Sequence, residues 1–348
     1  MAIIESVPNI SEGRNRKILG NIRDYLESVE NCTVLHMDSD PDANRTVFTL
    51  LGHHLGVLAA LKRLFIATQE HIDLRHHEGR HPRLGALDVV PVVPLDPRDR
   101  GLCVELAHRF GAWVGEHGVP VFFYEDASPI KSRAALPAVR RDGYQGLARR
   151  LASGSDRPHQ GPQAWSETVA RSGATVIGVR NPLVAWNVDI QPRDLELANR
   201  IAKAVRQRGP YVRDAQGHPV RDRLGRRRRH RGLSGVRAIA WDLPSRGCTQ
   251  VSMNLVRLER SSMERVWTHL GSVANAFGAY VPSSELIGLV PGHQLLEAGV
   301  AAGANREDID RCMAAGVARL GLDVHDPFNW QERVLEEAAA RAGFTISL

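Results

Sequence analysis

Cysteine is scarce and scattered. The 348 residues hold four, Cys32, Cys103, Cys248 and Cys312, and no two stand at a metal-ligand spacing. That pattern gives neither a disulfide framework nor a cysteine metal site, and it reads as reduced cysteine filling a core. Long apolar runs are missing as well: nothing approaches the roughly 20 consecutive apolar residues of a membrane span. The opening MAIIESVPN has no basic segment leading into an apolar one, which argues against secretion and for the cytoplasm.

What is present is the content of a globular protein, 43% hydrophobic and 24% charged, at a length sufficient for two or three domains. The net charge of +6 is unevenly placed. From Arg206 to Arg231 there are ten arginines and two aspartates, a balance of 10 − 2 = +8, so the remainder carries 6 − 8 = −2. This segment, RQRGPYVRDAQGHPVRDRLGRRRRHR, is dense in glycine, proline and like charge, and it reads as a mobile, solvated insertion. A patch for an anionic ligand is the functional alternative. A single aromatic, Tyr211, and the lack of a binding motif argue against nucleic acid.

Hydrophobic periodicity shows one plan twice. IIESV (3–7), TVLHMD (33–38), TVFTLLG (46–52) and ALDVVPVV (86–93) read as strands. Helix stripes at Ile18, Ile22, Leu26, Val29 and at Leu58, Leu61, Phe65 lie between them. In the second half LVAWNVDI (183–190), VRAIAWDL (236–243) and CTQVSMNL (248–255) are strands. Leu197, Ile201, Val205 and Met263, Val266, Leu270, Val273, Phe277 mark helices. The order β-α-β-β-α-β is the split βαβ plan. Between the halves 104–114 predicts a helix, 119–125 a strand, 138–152 a basic helix and 152–163 an irregular loop. The expected class is therefore α+β. Two small plaits would stand side by side with a ligand groove between them, divided as 1–178 and 179–348 with the insertion at about 206–231.

One pentad invites a different chemistry. Residues 77–81 read HEGRH, the His-Glu-x-x-His signature of zinc hydrolases. Two histidines four apart grip one metal only from a helix. Gly79 costs a helix interior about 1 kcal/mol relative to alanine, and Pro82 pushes His81 toward extended geometry. The expected local structure is helix, turn, strand, with His81 delivered to the mouth of a strand. Solvated loop histidine remains the plain reading of His71, His76 and His77.

The motifs VPNISEG (7–13), DSDPDANRTV (38–47), GRHPRLGALDV (79–89), SGATVIGVRNPLVAWNV (172–188), QVSMNL (250–255) and ELIGLVP (285–291) resemble, in order, the formimidoyltransferase domain of glutamate formimidoyltransferase. The cyclodeaminase domain of bifunctional members has no counterpart here. The resemblance implies two ferredoxin-like subdomains and a small-molecule enzyme of histidine and one-carbon metabolism, with a homodimer possible. It implies transfer of a formimidoyl group between N-formimidoyl-L-glutamate and N5 of tetrahydrofolate, the folate acting as co-substrate. The family's catalytic histidine falls on His81. One imidazole with a pKa near ~6.5 can take the proton of the attacking amine and return it to the leaving nitrogen, and neither step requires a metal.

Asp38, Asn44, Arg45 and Arg83 are the substrate-binding candidates. The arginines would fork onto the glutamate carboxylates or stand as surface cations. Asp38 would orient the imidazole, hold the amidinium or cap a turn. The family's folate-contacting Asp-Phe-Gly-Pro element is represented here by Pro158, Gly161 and Pro162, but His159 and Gln160 stand in place of its first two residues. Transfer to or from another amine, such as glycine or an amino sugar, and a non-catalytic folate- or anion-binding role are the alternatives, beside the disfavoured zinc hydrolase.

Overall fold

The computed structural model describes residues 2–154 and 156–346, so one residue of the expected 152–163 loop, Ser155, lies outside the described residues. The chain divides into two compact units. One runs through Pro182 and takes in the segment from Ala339 onward; the other is Leu183–Ala338.

The first unit contains β1 (Ile3–Ser6), β2 (Asn9–Ile10), α1 (Arg16–Glu27), β3 (Cys32–Asp40), β4 (Arg45–His53), α2 (His54–His71), β5 (Leu87–Pro94), α3 (Arg100–Glu116), β6 (Val121–Glu125), α4 (Leu136–Val139), α5 (Gly143–Ser153), α6 (Glu167–Ser172) and β7 (Thr175–Val179). β1 and β2 form one line against β4, from Ile3 opposite His53 to Ile10 opposite Thr46. The sheet order is β3, β4, β1 with β2, β5, β7, β6. The pairs are antiparallel as far as β5 and parallel from β5 to β7 to β6. Side chains alternate across a strand, so Ile4 and Ile10 enter the core with Ile22, Leu61 and Phe110 of α1–α3, while Glu5 and Asn9 point to the opposite face. Over β5, β7 and β6 that opposite face is closed by Val139, Leu147, Leu151 and Val169 of α4–α6. Covered on both sides, β5 is buried at all eight positions, as a strand in a parallel region requires.

The basic helix expected over 138–152 is two helices. Asp142 (φ 62°) and Gly143 (φ 56°) break it with left-handed backbone. β6, the strand expected over 119–125, and β7 extend the first sheet beyond the four strands of the split βαβ plan.

The second unit contains β8 (Val184–Ile190), α7 (Leu195–Val205), β9 (Val236–Leu243), β10 (Cys248–Leu255), α8 (Met263–Ala276), β11 (Ser284–Ile287), α9 (Gly292–Ala301) and α10 (Ile309–Arg319). Its sheet is antiparallel in the order β11, β8, β10, β9. Asp194 and Ser262 cap α7 and α8, accepting from backbone N–H groups of the first turn. Fully buried Trp186 stacks near Trp267 at 5.9 Å in the core.

The arginine-rich insertion is not the unstructured loop its composition suggested. The pattern Val-Arg-Asp-x-x-Gly occurs at 212–217 and again at 220–225. Val220 N–H donates to Val212 O (2.8 Å), Arg228 N–H to Val220 O (2.8 Å) and Val212 N–H to Arg228 O (3.0 Å), closing a ring of three segments eight residues apart. Each intervening turn is held by its aspartate. Asp214 accepts from the N–H groups of Gln216 and His218, and Asp222 from those of Leu224 and Arg226. Gly217 and Gly225 supply the left-handed backbone of the turns. A composition argument misses this because the order lies in the spacing.

The four cysteines are buried and free, as expected of core filler, and burial pushes Cys32, Cys103 and Cys248 up to about 12. No helix among the described residues is long and apolar enough to cross a membrane.

Candidate active site around His81

The segment between α2 and β5 carries HEGRH as irregular backbone, not helix, so His77 and His81 do not project from one helical face. Its shape is fixed from several sides. Gly79 lies against the β3–β4 turn so closely that a Cβ would fall 2.3 Å from Ala43 O, a contact only glycine permits. Asn44, at φ 49°, accepts from Gly13 N–H (2.9 Å) and donates to Glu78 O (2.8 Å). His77 Nε2 donates to Asn44 O at 2.9 Å, and Arg83 donates to His77 O at 2.5 Å. Arg80 N–H reaches Asp42 O, and Tyr144 N–H at the start of α5 reaches Arg83 O at 2.9 Å. A loop held this way has its geometry set by its own contacts.

His81 Nδ1 lies 2.7 Å from Pro82 O. A carbonyl only accepts, so Nδ1 carries the proton and Nε2 the lone pair. Pro82 O also accepts from Arg140, which follows α4. Arg140 continues to Asp88 Oδ2 at 2.7 Å, and Arg45 at the head of β4 donates to the same oxygen. Arg45 Nε is steered by Asn9 Oδ1 at 2.9 Å. Asp88 sits where the β2–β5 register slips by one residue: Asn9 pairs with Val89 but Ile10 pairs with Leu87. Such a bulge re-aims a side chain. The other oxygen, Oδ1, accepts from Leu84 N–H (2.8 Å) and Gly85 N–H (3.3 Å).

The electrostatics follow from that arrangement. Asp88 is fully buried, which by itself would raise its pKa, but Arg140 and Arg45 hold the carboxyl down to about 2. His81 keeps partial solvent access, yet the surrounding protein, together with the positive charge of Arg45 and Arg140, pushes its imidazole down to about 3. The ordinary imidazole value expected from sequence is displaced downward by this burial and by the two neighbouring cations. Two guanidinium groups against one carboxylate leave a net positive charge beside the ring.

The sequence candidates separate. His81, Arg45 and Arg83 belong to this one neighbourhood. Both polar atoms of the Asn44 amide are committed to backbone groups, so the side chain clamps the loop. Asp38 lies on β3 opposite Val47, which in turn pairs with Asn9, and His36 approaches it at 3.8 Å. Asp38 is thus in the same cross-strand row as Asn9, and the carboxylate bonded into the arginine cluster is Asp88. Pro158, Gly161 and Pro162 run along the outer side of β6. Val121 and Gln160 form a bridge, and His159 Nδ1 accepts from Phe123 N–H at 2.8 Å. Because β5, β7 and β6 are parallel, this loop and the segment that leads from His81 into β5 lie at the same end of the sheet.

Asp88 and Arg140 were missed by the sequence reading. For Asp88 a signal existed: an acid inside the apolar run ALDVV must be buried and must recruit cations. Arg140, 52 residues beyond Asp88, had none. Among the described residues no group of three or more His, Cys, Asp or Glu side chains is placed to hold a metal.

Two family models match the chain: the formiminotransferase domain, N-terminal subdomain, over residues 3–180, and the formiminotransferase domain over residues 185–339. The chain belongs to the formiminotransferase family. Similar proteins include formimidoyltransferase-cyclodeaminase of Sus scrofa, 35% identical over 99% of this chain and 61% of that protein. Glutamate formimidoyltransferase of Streptococcus pyogenes serotype M1 is 32% identical over 85% of this chain and 91% of that protein. Glutamate formimidoyltransferase of Thermoplasma acidophilum is 33% identical over the same shares. The chain thus spans about three fifths of the length of the bifunctional relatives. Pitrilysin, a solved structure matched over 97% of this chain and 41% of its own, has a TM-score of 0.20 and 9% identity, too low to carry an argument. The cluster of His81, Arg45, Arg140 and Asp88 lies within the part of the chain that matches the N-terminal subdomain.

Proposed function

We propose that this formiminotransferase moves a formimidoyl group from N-formimidoyl-L-glutamate to N5 of tetrahydrofolate, with His81 as general acid and base. The observation that carries the reading is the locked His81 ring, its lone pair on Nε2, beside an arginine pair anchored on Asp88. The names of the similar proteins favour the same reaction. N5 attacks the amidine carbon and a new C–N bond forms. The N5 proton passes to His81 Nε2, giving a tetrahedral centre with two amine substituents. His81 returns the proton to the glutamate nitrogen as its C–N bond breaks, releasing glutamate and 5-formimidoyltetrahydrofolate. A low pKa suits the first transfer poorly unless the substrate changes it. Glutamate carboxylates bound near Arg45 and Arg140 would neutralise the charge that depresses the imidazole, raising its basicity when substrate is present.

On this reading Arg45, Arg140 and Arg83 bind the carboxylates, Asp38 faces the amidine from β3, and the 158–162 loop borders the folate. Each run of β-α-β-β-α-β is read as ferredoxin-like. Its strand order, the second strand beside the third, then the first, then the fourth, is that of β3, β4, β1 with β2 and β5, and again of β9, β10, β8 and β11. The test is turnover with tetrahydrofolate and formimidoylglutamate, followed as the 5,10-methenyl product after acid treatment. Formation of that product is expected, and turnover only with another amine acceptor would overturn the folate assignment.

A further inference from the structure

Three acids sit deep in strands, and two are fully served. Asp88 accepts from two arginines and two backbone N–H groups. Asp189 on β8, 1% exposed, accepts from Gln250 (2.8 Å) and Ser283 (2.7 Å), with His325 Nε2 at 2.6 Å. Glu5 is the exception. It is 6% exposed, lies between Leu51 and Val93, both fully buried, and accepts no hydrogen bond among the described residues. Arg180, beyond the end of β7, acts on it through space, and His53 stands two positions along β4 from Leu51. The Glu5 oxygens are not fully enclosed, so the carboxyl keeps a narrow opening; a mostly buried carboxyl that no protein group serves is expensive, and proteins rarely keep one without a use for it.

Its placement indicates the use. β1 and β2 share one register against β4, so Glu5 and Asn9 emerge on the same face, four residues or about 14 Å apart. Asn9 holds Arg45 of the His81 cluster. A bicyclic ring, together with the reach of a glutamate and an arginine side chain, spans that separation. The reading proposed above also leaves one need unmet: the pterin edge of a folate presents adjacent N–H donors, and the 158–162 loop offers no carboxylate to receive them. We propose that Glu5 is the acceptor for the N–H edge of the reduced pterin and so fixes which heterocycle is bound. This rests on the folate reading of the same site. A carboxylate taking two parallel N–H bonds matches that edge as it matches a guanidinium.

The test is calorimetry on the whole protein with 5-formyltetrahydrofolate and with p-aminobenzoylglutamate, which lacks the pterin, comparing wild type with Glu5→Gln. The variant should bind the folate about 10–100-fold more weakly, the cost of losing bonds to a charged acceptor. Its affinity for p-aminobenzoylglutamate should not change, and its melting temperature should equal or exceed that of wild type. In turnover, KM for tetrahydrofolate should rise while KM for formimidoylglutamate does not. Equal folate affinity in the two proteins would overturn the role of Glu5 and leave the folate reading intact. A lower melting temperature with weakening toward both ligands would make Glu5 structural. No binding of 5-formyltetrahydrofolate to wild type at millimolar concentration would remove the folate reading, and the inference with it.

Discussion

Two of the places where arginine is concentrated in this chain behave oppositely. Around His81, Arg45 and Arg140 are mostly buried, at 11% and 17% side-chain exposure, and share one fully buried carboxylate. In the 206–231 insertion Arg213 and Arg221 donate to backbone carbonyls of their own turns, Arg229 lies 3.7 Å from the centre of the Tyr211 ring, and Arg226 pairs with Asp222 at the surface. The larger count of arginines belongs to the solvated region. The smaller one holds a fully buried carboxyl down to about 2 and pushes the imidazole beside it down to about 3, because field strength follows desolvation rather than the number of charges.

Substitutions can break that contrast, and the largest effect is expected at the ring the buried pair controls. His81→Ala should lower kcat by ~10²–10⁴-fold with KM changing far less. Glu78→Gln, on the same loop, should leave the rate near that of wild type. Near-normal kcat in the alanine variant would remove His81 from the chemistry. Asp88→Ala strands two partly buried cations and should cost about 3–5 kcal/mol of stability in a denaturant titration. A loss near zero would show that the arginines find other partners.

The pH profile sharpens the comparison. An imidazole pushed down to about 3 is neutral from pH 8 to below pH 5, so His81 should place no acid limb near 6.5 in kcat/KM, which reports the free enzyme. Arg140→Gln removes one depressing charge and should move the limb upward; a limb at 6.5 in wild type that disappears in His81→Ala would show that the His81 imidazole is not depressed. For stability the sign is that of a depressed histidine. The folded protein resists the proton that the unfolded chain takes up below about 6.5, so His81 costs stability as pH falls from about 6.5 toward 3.

Glu5 gives the opposite direction, since burial raises it to about 7 against the pull of Arg180. Below an unfolded value of 4.5 the acid is protonated in both states, and its cost grows as pH rises from 4.5 to 7. The stability advantage of Glu5→Gln should therefore be larger at pH 8 than at pH 5, by up to about 3 kcal/mol. An advantage independent of pH would show that the acid does not titrate in that window.

The smallest effect is expected in the insertion. Arg229 and Tyr211 form a bridge that brings its two ends together, so excising 212–228 closes a short connection and should change stability by less than about 1 kcal/mol. A collapse of folding would show that the arginine-rich segment is part of the frame.

Local pattern settled much of this protein before any contact was known. The strands Val236–Leu243 and Cys248–Leu255 have the bounds their alternation gives, and the stripes through Leu61 and Ile201 lie on buried helix faces. Gly79 and Pro82 keep HEGRH from being a helix, because backbone sterics act over one or two residues. The eight-residue ring of the insertion was equally local and was passed over by reading composition instead of spacing. What lay beyond the sequence is non-local. β7 enters between β5 and β6 although it follows β6 by some fifty residues. Arg140 reaches Asp88 across 52 positions, and Glu5 is left without donors by strands paired 46 and 88 residues away. A side chain's type and its local backbone are written in its neighbours along the chain. The charge it carries is set by burial and by through-space partners, which only the folded chain brings together.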